Sequence, residues 1–224
     1  MHPVRYWKRD CTDREKIMRF LAQARVGYLG LSEGTQPYVI PLNFVWWREA
    51  IYFHGAEEGR KCDMMEQNPH ACFTVSEEYG TIADPVPSLT DTSYMSVMLF
   101  GRAERVVELD EATGALQALL DKYVPGYFDS PLSRQHVARY RSSLHSGVAV
   151  YRIRPDHLSA KENPLNQEMR FYPGRHVSMD AGREKKEAWG DGAKRAPLTT
   201  DSAKKRKTRR NRGRESHITE TPRC

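Results

Sequence analysis

The 224-residue chain lacks the features that mark membrane, secreted and disulfide-stabilised proteins. It has no apolar run approaching the roughly 20 residues that a membrane-spanning helix needs. Its start is mixed and charged, without the apolar segment of a secretory signal. The four cysteines have no CxxC spacing, which favours free thiols in a reducing compartment. These absences predict a soluble, cytoplasmic protein with no membrane association.

The chain also lacks the signatures of several common enzyme classes. Neither GxGxxG nor GxxxxGK[ST] occurs, which argues against the usual nucleotide-binding loops. No Gly-x-Ser-x-Gly elbow indicates a serine hydrolase. His54 and His70 have no cysteines or carboxylates at ligand spacing, so no metal site is predicted.

Positive charge is present but is concentrated at the C-terminal end. Residues 179–224 carry 14 Lys and Arg against 7 Asp and Glu, whereas residues 1–178 are nearly neutral. Residues 204–214 include eight basic side chains, and such a run is typical of a disordered interaction tail. It could bind nucleic acid or another polyanion weakly through counterion release, or be a solvated extension without a dedicated partner.

The hydrophobic pattern predicts about six short strands and three or four helices. Helices are predicted near residues 12–27, 57–67, 110–124 and 133–144, and strands near residues 28–32, 37–47, 51–54, 70–76, 94–107 and 148–153. Residues 77–93 are predicted to form a loop. Because most strands are neighbours in sequence, an antiparallel α+β barrel is favoured over a doubly wound sheet. The predicted divisions are a barrel domain at residues 1–157, an irregular extension at 158–179 and a disordered basic tail at 180–224.

Residues 37–61 are the most informative stretch, reading as a strand, a turn, a second strand and a helix start. Pro41 lies within the first strand and cannot donate a ladder hydrogen bond, so the strand should be bulged or at an edge there. A bulge would turn backbone amides away from the sheet. The strand is apolar on both faces, which predicts burial on both faces or packing against a second subunit.

The helix start carries a candidate anion site at Gly59, Arg60 and Lys61. Basic side chains in a first turn oppose the helix dipole, and a bound phosphate would remove that conflict. Both side chains could instead reach into solvent. His54, just before this helix, could contact a ligand ring, donate a proton or be structural. The aromatic residues nearby could wall a planar cofactor, or form ordinary core and a dimer face.

Five segments, at residues 37–44, 51–56, 59–61, 68–75 and 94–103, carry a resemblance to a known family. They resemble the flavin-binding core of the pyridoxamine 5'-phosphate oxidase-like split-barrel family, and most of all its nitroimidazole-resistance, nitroreductase-like branch. The resemblance covers about residues 3–155. It implies a six-stranded split β-barrel homodimer with FMN in two sites at the subunit interface.

The resemblance also implies roles for particular residues. Pro41, Leu42 and Asn43 would offer backbone groups to the isoalloxazine ring, while Arg60 and Lys61 would hold the phosphate. The other implied cofactor-binding residues are His54, Gly55, Ala56, Gly59, Tyr94, Ser96 and Val97, the last three partly from the neighbouring subunit. His54 would lie near the flavin and assist the redox step.

The activity that the resemblance implies is an FMN-dependent oxidoreductase. It would take electrons from NAD(P)H and reduce a small aromatic or nitro-type electrophile. Family members that oxidise pyridoxamine phosphate carry an arginine-rich motif near the C-terminus, which is not found after this barrel, so that activity is not expected. The alternatives are a flavin- or haem-binding module without turnover, and a polyanion-binding protein that acts through its tail.

Overall fold

The computed structural model describes residues 4–141 and 146–180, all within one compact unit, Met1–Ala181. The tail predicted to be disordered therefore lies outside the described residues, apart from its first residue. Cys11, Cys62 and Cys72 are free thiols, as predicted, and Cys224 lies outside the described residues. No described helix combines the length and apolar character needed to cross a membrane.

The described residues contain four α-helices. They are α1 at Arg14–Gln23, α2 at Arg60–Gln67, α3 at Leu109–Tyr123 and α4 at Arg134–Arg139, with single 3-10 turns at Trp7–Arg9, Pro87–Leu89, Gln167–Met169 and Val177–Met179. Residues 12–15 have the form of a capping box, which predicts Thr12 as the N-cap. Helix α1 instead begins one residue later, where the Asp13 carboxylate accepts a hydrogen bond from the Lys16 backbone N–H. Its buried residues, Ile17, Phe20 and Leu21, have the i, i+3, i+4 spacing that predicts one apolar helix face.

Seven strands form one antiparallel sheet in the order β2-β1-β5-β6-β7-β4-β3. They are β1 at Val26–Glu33, β2 at Gln36–Asn43, β3 at Val45–Trp47, β4 at Ala50–Ala56, β5 at His70–Ile82, β6 at Asp91–Arg105 and β7 at Val148–Asn163. The sheet curls until β2 contacts β4. The predicted α+β class and antiparallel split barrel are confirmed, with seven strands because the chain breaks at Phe44 where one continuous strand was predicted.

Two predicted boundaries are wrong because strands continue further than their sequence pattern indicates. The loop predicted at residues 77–93 shrinks to residues 83–90, since β5 and β6 extend towards each other. Strand β7 passes through Pro155 to Asn163, and a register shift opposite Phe100 and Gly101 accommodates the proline. Gly101 permits this close approach, since a Cβ there would collide with the Arg154 carbonyl oxygen. The extension predicted to be irregular therefore begins as strand.

Strand β2 lies at one end of the sheet order, and this explains how it tolerates Pro41. Its pairing with β1 is continuous along the whole strand, so the bulge predicted at Pro41 is absent and the edge alternative holds. The predicted burial of this strand on both of its faces is also wrong within the single chain. Tyr38, Ile40 and Leu42 are partly buried, whereas Val39 is 62% exposed on the other face.

The sheet separates two apolar clusters, and β4 contributes to both. Ile51 and Phe53 pack inside the barrel, whereas Ala50 and Tyr52 pack beneath α3. Because strand side chains alternate between faces, His54 continues the row that faces α3, and the next residue continues the row inside the barrel.

A polar network fixes α3 against the sheet. The buried Tyr52 hydroxyl donates to Glu111 at 2.7 Å, and Arg152 donates to both oxygens of the same carboxylate at 2.8 and 2.9 Å. Burial raises the pKa of Glu111, but the hydrogen bonds from Tyr52 and Arg152 outweigh it and hold the pKa below its ordinary value. These hydrogen bonds therefore hold α3, which forms one wall of the site described below, in a fixed position on the sheet.

Candidate functional site

Helix α2 starts at a glycine that its backbone requires. Gly59 has φ 114° and ψ 169°, a conformation that residues with a Cβ adopt only under strain. Arg60 and Lys61 follow in the first turn, as predicted. Among the described residues, neither side chain forms an ion pair with a carboxylate. The neighbouring Glu57 cannot balance them freely, since its carboxylate accepts from Arg105 at 2.8 Å.

The Lys61 ammonium is half-buried among aromatic rings. It lies 5.7 Å from the centroid of Phe53 and 5.9 Å from that of Tyr151, and burial lowers its pKa. Gly55 leaves room for it, because a Cβ at that position would collide with Lys61 Nζ. A desolvated cation that has rings but no carboxylate for neighbours is well suited to bind an anion.

Arg60 connects this helix start to the edge strand. Its guanidinium lies 4.6 Å from the centroid of the Tyr38 ring on β2. Pro41 and Leu42 follow further along the same strand, Pro41 exposed and Leu42 half-buried. Two cations, a glycine that opens the helix and an adjacent free strand edge fit a phosphate group with an extended molecule attached to it.

His54 lies on the other face of β4, in a cleft of about 460 Å³. The cleft is lined by Asn43, His54, Leu116, Leu119, Leu120, Tyr123, Leu132, His136, Val137, Tyr140 and Val148. The structure thus brings together two predicted residues, one from the end of β2 and one from the end of β4. Although the His54 side chain is accessible from the cleft, desolvation by the surrounding atoms lowers its pKa, and repulsion from Lys61 lowers it further.

Most of the cleft wall comes from α3 and α4, to which the sequence analysis gave no functional role. The two elements are tied together, because the Leu132 N–H donates to the Gln117 side chain at 2.6 Å and Arg134 pairs with Asp110 at 3.1 Å. Helical periodicity did signal an apolar face on each predicted helix. It could not signal that part of those faces would remain uncovered.

The three residues predicted on β6 are not near this cleft within one chain. Tyr94 and Ser96 pair with Asn163 and Lys161 at one end of β7, whereas His54 pairs with Val150 at the other end. The Tyr94 and Ser96 side chains are partly buried on the outer face of the sheet. Their role as contacts from a second subunit stays a prediction.

Two further predicted contacts have contrasting surroundings. Val97 is 0% exposed inside the barrel, so its side chain is not accessible to a ligand. Ala56 is exposed at the end of β4, and its carbonyl oxygen lies 3.4 Å from the Cys62 sulfur. No group of three or more His, Cys, Asp or Glu that could hold a metal ion occurs among the described residues.

Comparison with solved structures finds the same fold in several proteins. A proposed 5-nitroimidazole antibiotic resistance protein from Bacteroides thetaiotaomicron is 24% identical over 68% of this chain and 85% of that chain, with a TM-score of 0.55. The flavocytochrome Anf3 from Azotobacter vinelandii is 24% identical over 75% and 76%, with a TM-score of 0.61. The FAD and heme binding protein from Mycobacterium smegmatis is 20% identical over 71% and 77%, with a TM-score of 0.57.

Among curated proteins, a search found no significant match. Because these similar solved structures are at most 24% identical to this chain, they show its fold alone. The family assignment comes from the sequence. A model of the pyridoxamine 5'-phosphate oxidase family matches residues 13–162, which is more than half of the chain. The protein belongs to the pyridoxamine 5'-phosphate oxidase family.

Proposed function

We propose that the protein is an FMN-dependent oxidoreductase that reduces a small, aromatic or nitro-type electrophile with electrons from NAD(P)H. The observation that carries the proposal is Lys61, a half-buried cation that has no carboxylate partner among the described residues and stands at a glycine-opened helix start. In this proposal Arg60 and Lys61 bind the phosphate. When bound, the flavin supplies the redox chemistry, and the protein positions it.

In this proposal the ends of β2 and β4 have different roles. Pro41, Leu42 and Asn43 would present the backbone of an edge strand to the ring. His54 would hold or accept a proton, since its lowered pKa keeps the imidazole neutral near pH 7. A neutral imidazole can both donate and accept a hydrogen bond, which suits a group placed beside a reacting molecule.

We also propose a homodimer in which Tyr94 and Ser96 of one subunit complete the site of the other. Support comes from the outer face of the sheet, where register places Tyr28, Thr74 and Met98 side by side on three adjacent strands. Tyr28 is 45% and Met98 40% exposed. Tyr28 and Met98 thus leave apolar surface exposed on either side of Thr74, and an exposed apolar patch is typical of a face that another protein covers.

The names of the structural neighbours include FAD and heme, so the identity of the cofactor is part of the test. The visible spectrum of the purified full-length protein should show bound flavin, and chromatography of the released cofactor should identify it as FMN. A colourless preparation that takes up no added FMN would refute the proposal. FAD or haem in place of FMN would keep the fold assignment but replace the cofactor.

Turnover separates the oxidoreductase from a non-catalytic flavin or haem carrier. Consumption of NAD(P)H in the presence of a nitroaromatic acceptor is expected, with little consumption when the acceptor is omitted. A protein that binds FMN tightly but consumes no NAD(P)H with any acceptor would instead be a carrier or sensor.

We treat polyanion binding by the basic tail as a separate proposal, because residues 181–224 lie outside the described residues. The tail's charge supports it. Deletion of residues 180–224 should abolish retention of the protein on a nucleic-acid matrix. Undiminished retention after deletion would show that the tail is not the binder.

A further inference from the structure

The two faces of the β4 end differ in charge. On the barrel side stand Arg60 and Lys61, whereas none of the described residues that line the cleft on the α3 side is Asp, Glu, Lys or Arg. We propose that the cleft between α3, α4 and the end of β4 binds an uncharged, apolar, ring-sized molecule whose single polar group contacts His54 and His136. That this molecule is the substrate rests on the proposed function above.

The size and lining of the cleft suit such a molecule. Its volume of about 460 Å³ falls within the range usual for small-molecule sites, and its aliphatic wall is formed mainly by leucines of α3 and the loop before α4. Among the described lining residues an anion would find no Lys or Arg, and a cation no carboxylate. Burial of a charge there would cost free energy without a partner to offset it, so the lining selects for an uncharged ligand.

Hydrogen bonds within the chain hold the wall of the cleft in place. Glu111 ties α3 to the sheet through Tyr52 and Arg152. The Tyr123 hydroxyl, at the end of α3, accepts from the Phe44 N–H at 3.0 Å and lies 2.5 Å from the Arg25 carbonyl oxygen. These bonds occupy that hydroxyl, so the ligand's polar group must find its partner elsewhere in the cleft.

The partners that remain are two histidines, an amide and a tyrosine. His54 comes from the sheet and His136 from α4, so they approach the cleft from different elements. The His136 ring lies 6.2 Å from the Tyr140 ring, centroid to centroid. Both histidines line one cleft, and in this proposal His136 is a specificity-determining residue that the sequence pattern did not identify.

The test uses 2-naphthol, which is uncharged at pH 7, and its sulfonated analogue, 2-naphthol-6-sulfonate. Each is titrated into the full-length protein as purified, with its bound cofactor, by isothermal calorimetry. We expect 2-naphthol to bind at least tenfold more tightly than the sulfonate, because the cleft has no cation for the sulfonate group. This comparison needs no variant.

Variants locate the binding. Leu120→Trp, which fills the cleft, should weaken 2-naphthol binding at least tenfold, while Val107→Trp, at a site 82% exposed and outside the cleft, should leave it unchanged. His136→Leu should weaken binding severalfold, and His136→Gln should restore most of it, because a side-chain amide can still hydrogen-bond. Equal binding by wild type, Leu120→Trp and His136→Leu would overturn the inference.

Two outcomes separate this inference from the proposed function. A protein that takes up no flavin but binds 2-naphthol in the expected pattern would refute the oxidoreductase and keep the cleft as a binding site. A protein that binds FMN and consumes NAD(P)H with an acceptor but shows no 2-naphthol binding would do the reverse. Displacement of 2-naphthol by FMN, one for one, would also overturn the inference, because the cleft would then belong to the flavin ring.

Discussion

The prediction with the most weight concerns Lys61, because the proposed phosphate site depends on it. Lys61→Met removes the ammonium but keeps an unbranched apolar side chain over Phe53 and Tyr151. A charge-assisted hydrogen bond contributes about 1.5–3 kcal/mol, so the Kd for FMN should rise by roughly 10- to 150-fold. Flavin fluorescence titration of the cofactor-free protein measures this change.

Riboflavin, which has the ring but no phosphate, makes the prediction specific. Wild type should prefer FMN to riboflavin, and Lys61→Met should lose most of that preference while its riboflavin affinity changes little. Lys8→Met, at an exposed lysine outside the site, serves as the matched control and should retain the wild-type preference. If Lys61→Met keeps the full preference for FMN, the phosphate lies elsewhere.

Thermal stability provides an independent check on the role of Lys61. Burial lowers its pKa, so the charged form is less stable in the folded protein than in the unfolded chain. Removing the charge should therefore leave the melting temperature of the cofactor-free protein unchanged or raise it. A clear decrease would mean that Lys61 stabilises the fold through contacts that the geometry does not reveal, and the argument for an anion site would fail.

Three further predictions concern the elements that build the site. Glu111→Gln should lower the free energy of unfolding, measured by urea denaturation, by about 2 kcal/mol. Because the pKa of Glu111 is lowered in the folded protein, this difference should shrink as the pH falls below about 4.5, where the Glu111 side chain becomes protonated and is then uncharged, as the glutamine is. Gly59→Ala should cost about 1–3 kcal/mol and weaken FMN binding, and an unchanged stability would contradict the strained backbone. Burial first, and repulsion from Arg25 second, lower the pKa of Lys122 to about 8. The free energy of unfolding of wild type, relative to that of Lys122→Met, should therefore rise between about pH 8 and pH 10. A difference that does not change with pH would contradict the lowered pKa.

The sequence predicted the elements whose signals are local. The glycine, arginine and lysine at the start of α2, the strand that becomes β4 and the periodic face of α1 all depend on near neighbours, and each is found in the structure. The break between β2 and β3 is different. Phe44 leaves the strand where its N–H donates to the hydroxyl of Tyr123, 79 residues away, and no local pattern signals such a bond.

The site was predicted only in part for the same reason. Asn43 could be named through the family resemblance, and His54 because it lies just before the predicted helix start. The leucines of α3 and His136 could not, because an apolar helix face has the same pattern whether or not a neighbour covers it. The end predicted for the last strand, near residue 153, is wrong for a related reason, since the register shift that accommodates Pro155 depends on the paired strand, β6.

Strand β4 shows how one element can serve two chemically different ligands. Its side chains alternate, so Phe53 supports Lys61 on the barrel side while His54 enters the uncharged cleft on the α3 side. The two environments also interact electrostatically, because burial first, and repulsion from Lys61 second, lower the pKa of His54. An anion bound at Lys61 would offset that repulsion and favour protonation of His54. Occupancy of the charged face would thus be linked to the protonation state of His54 in the cleft.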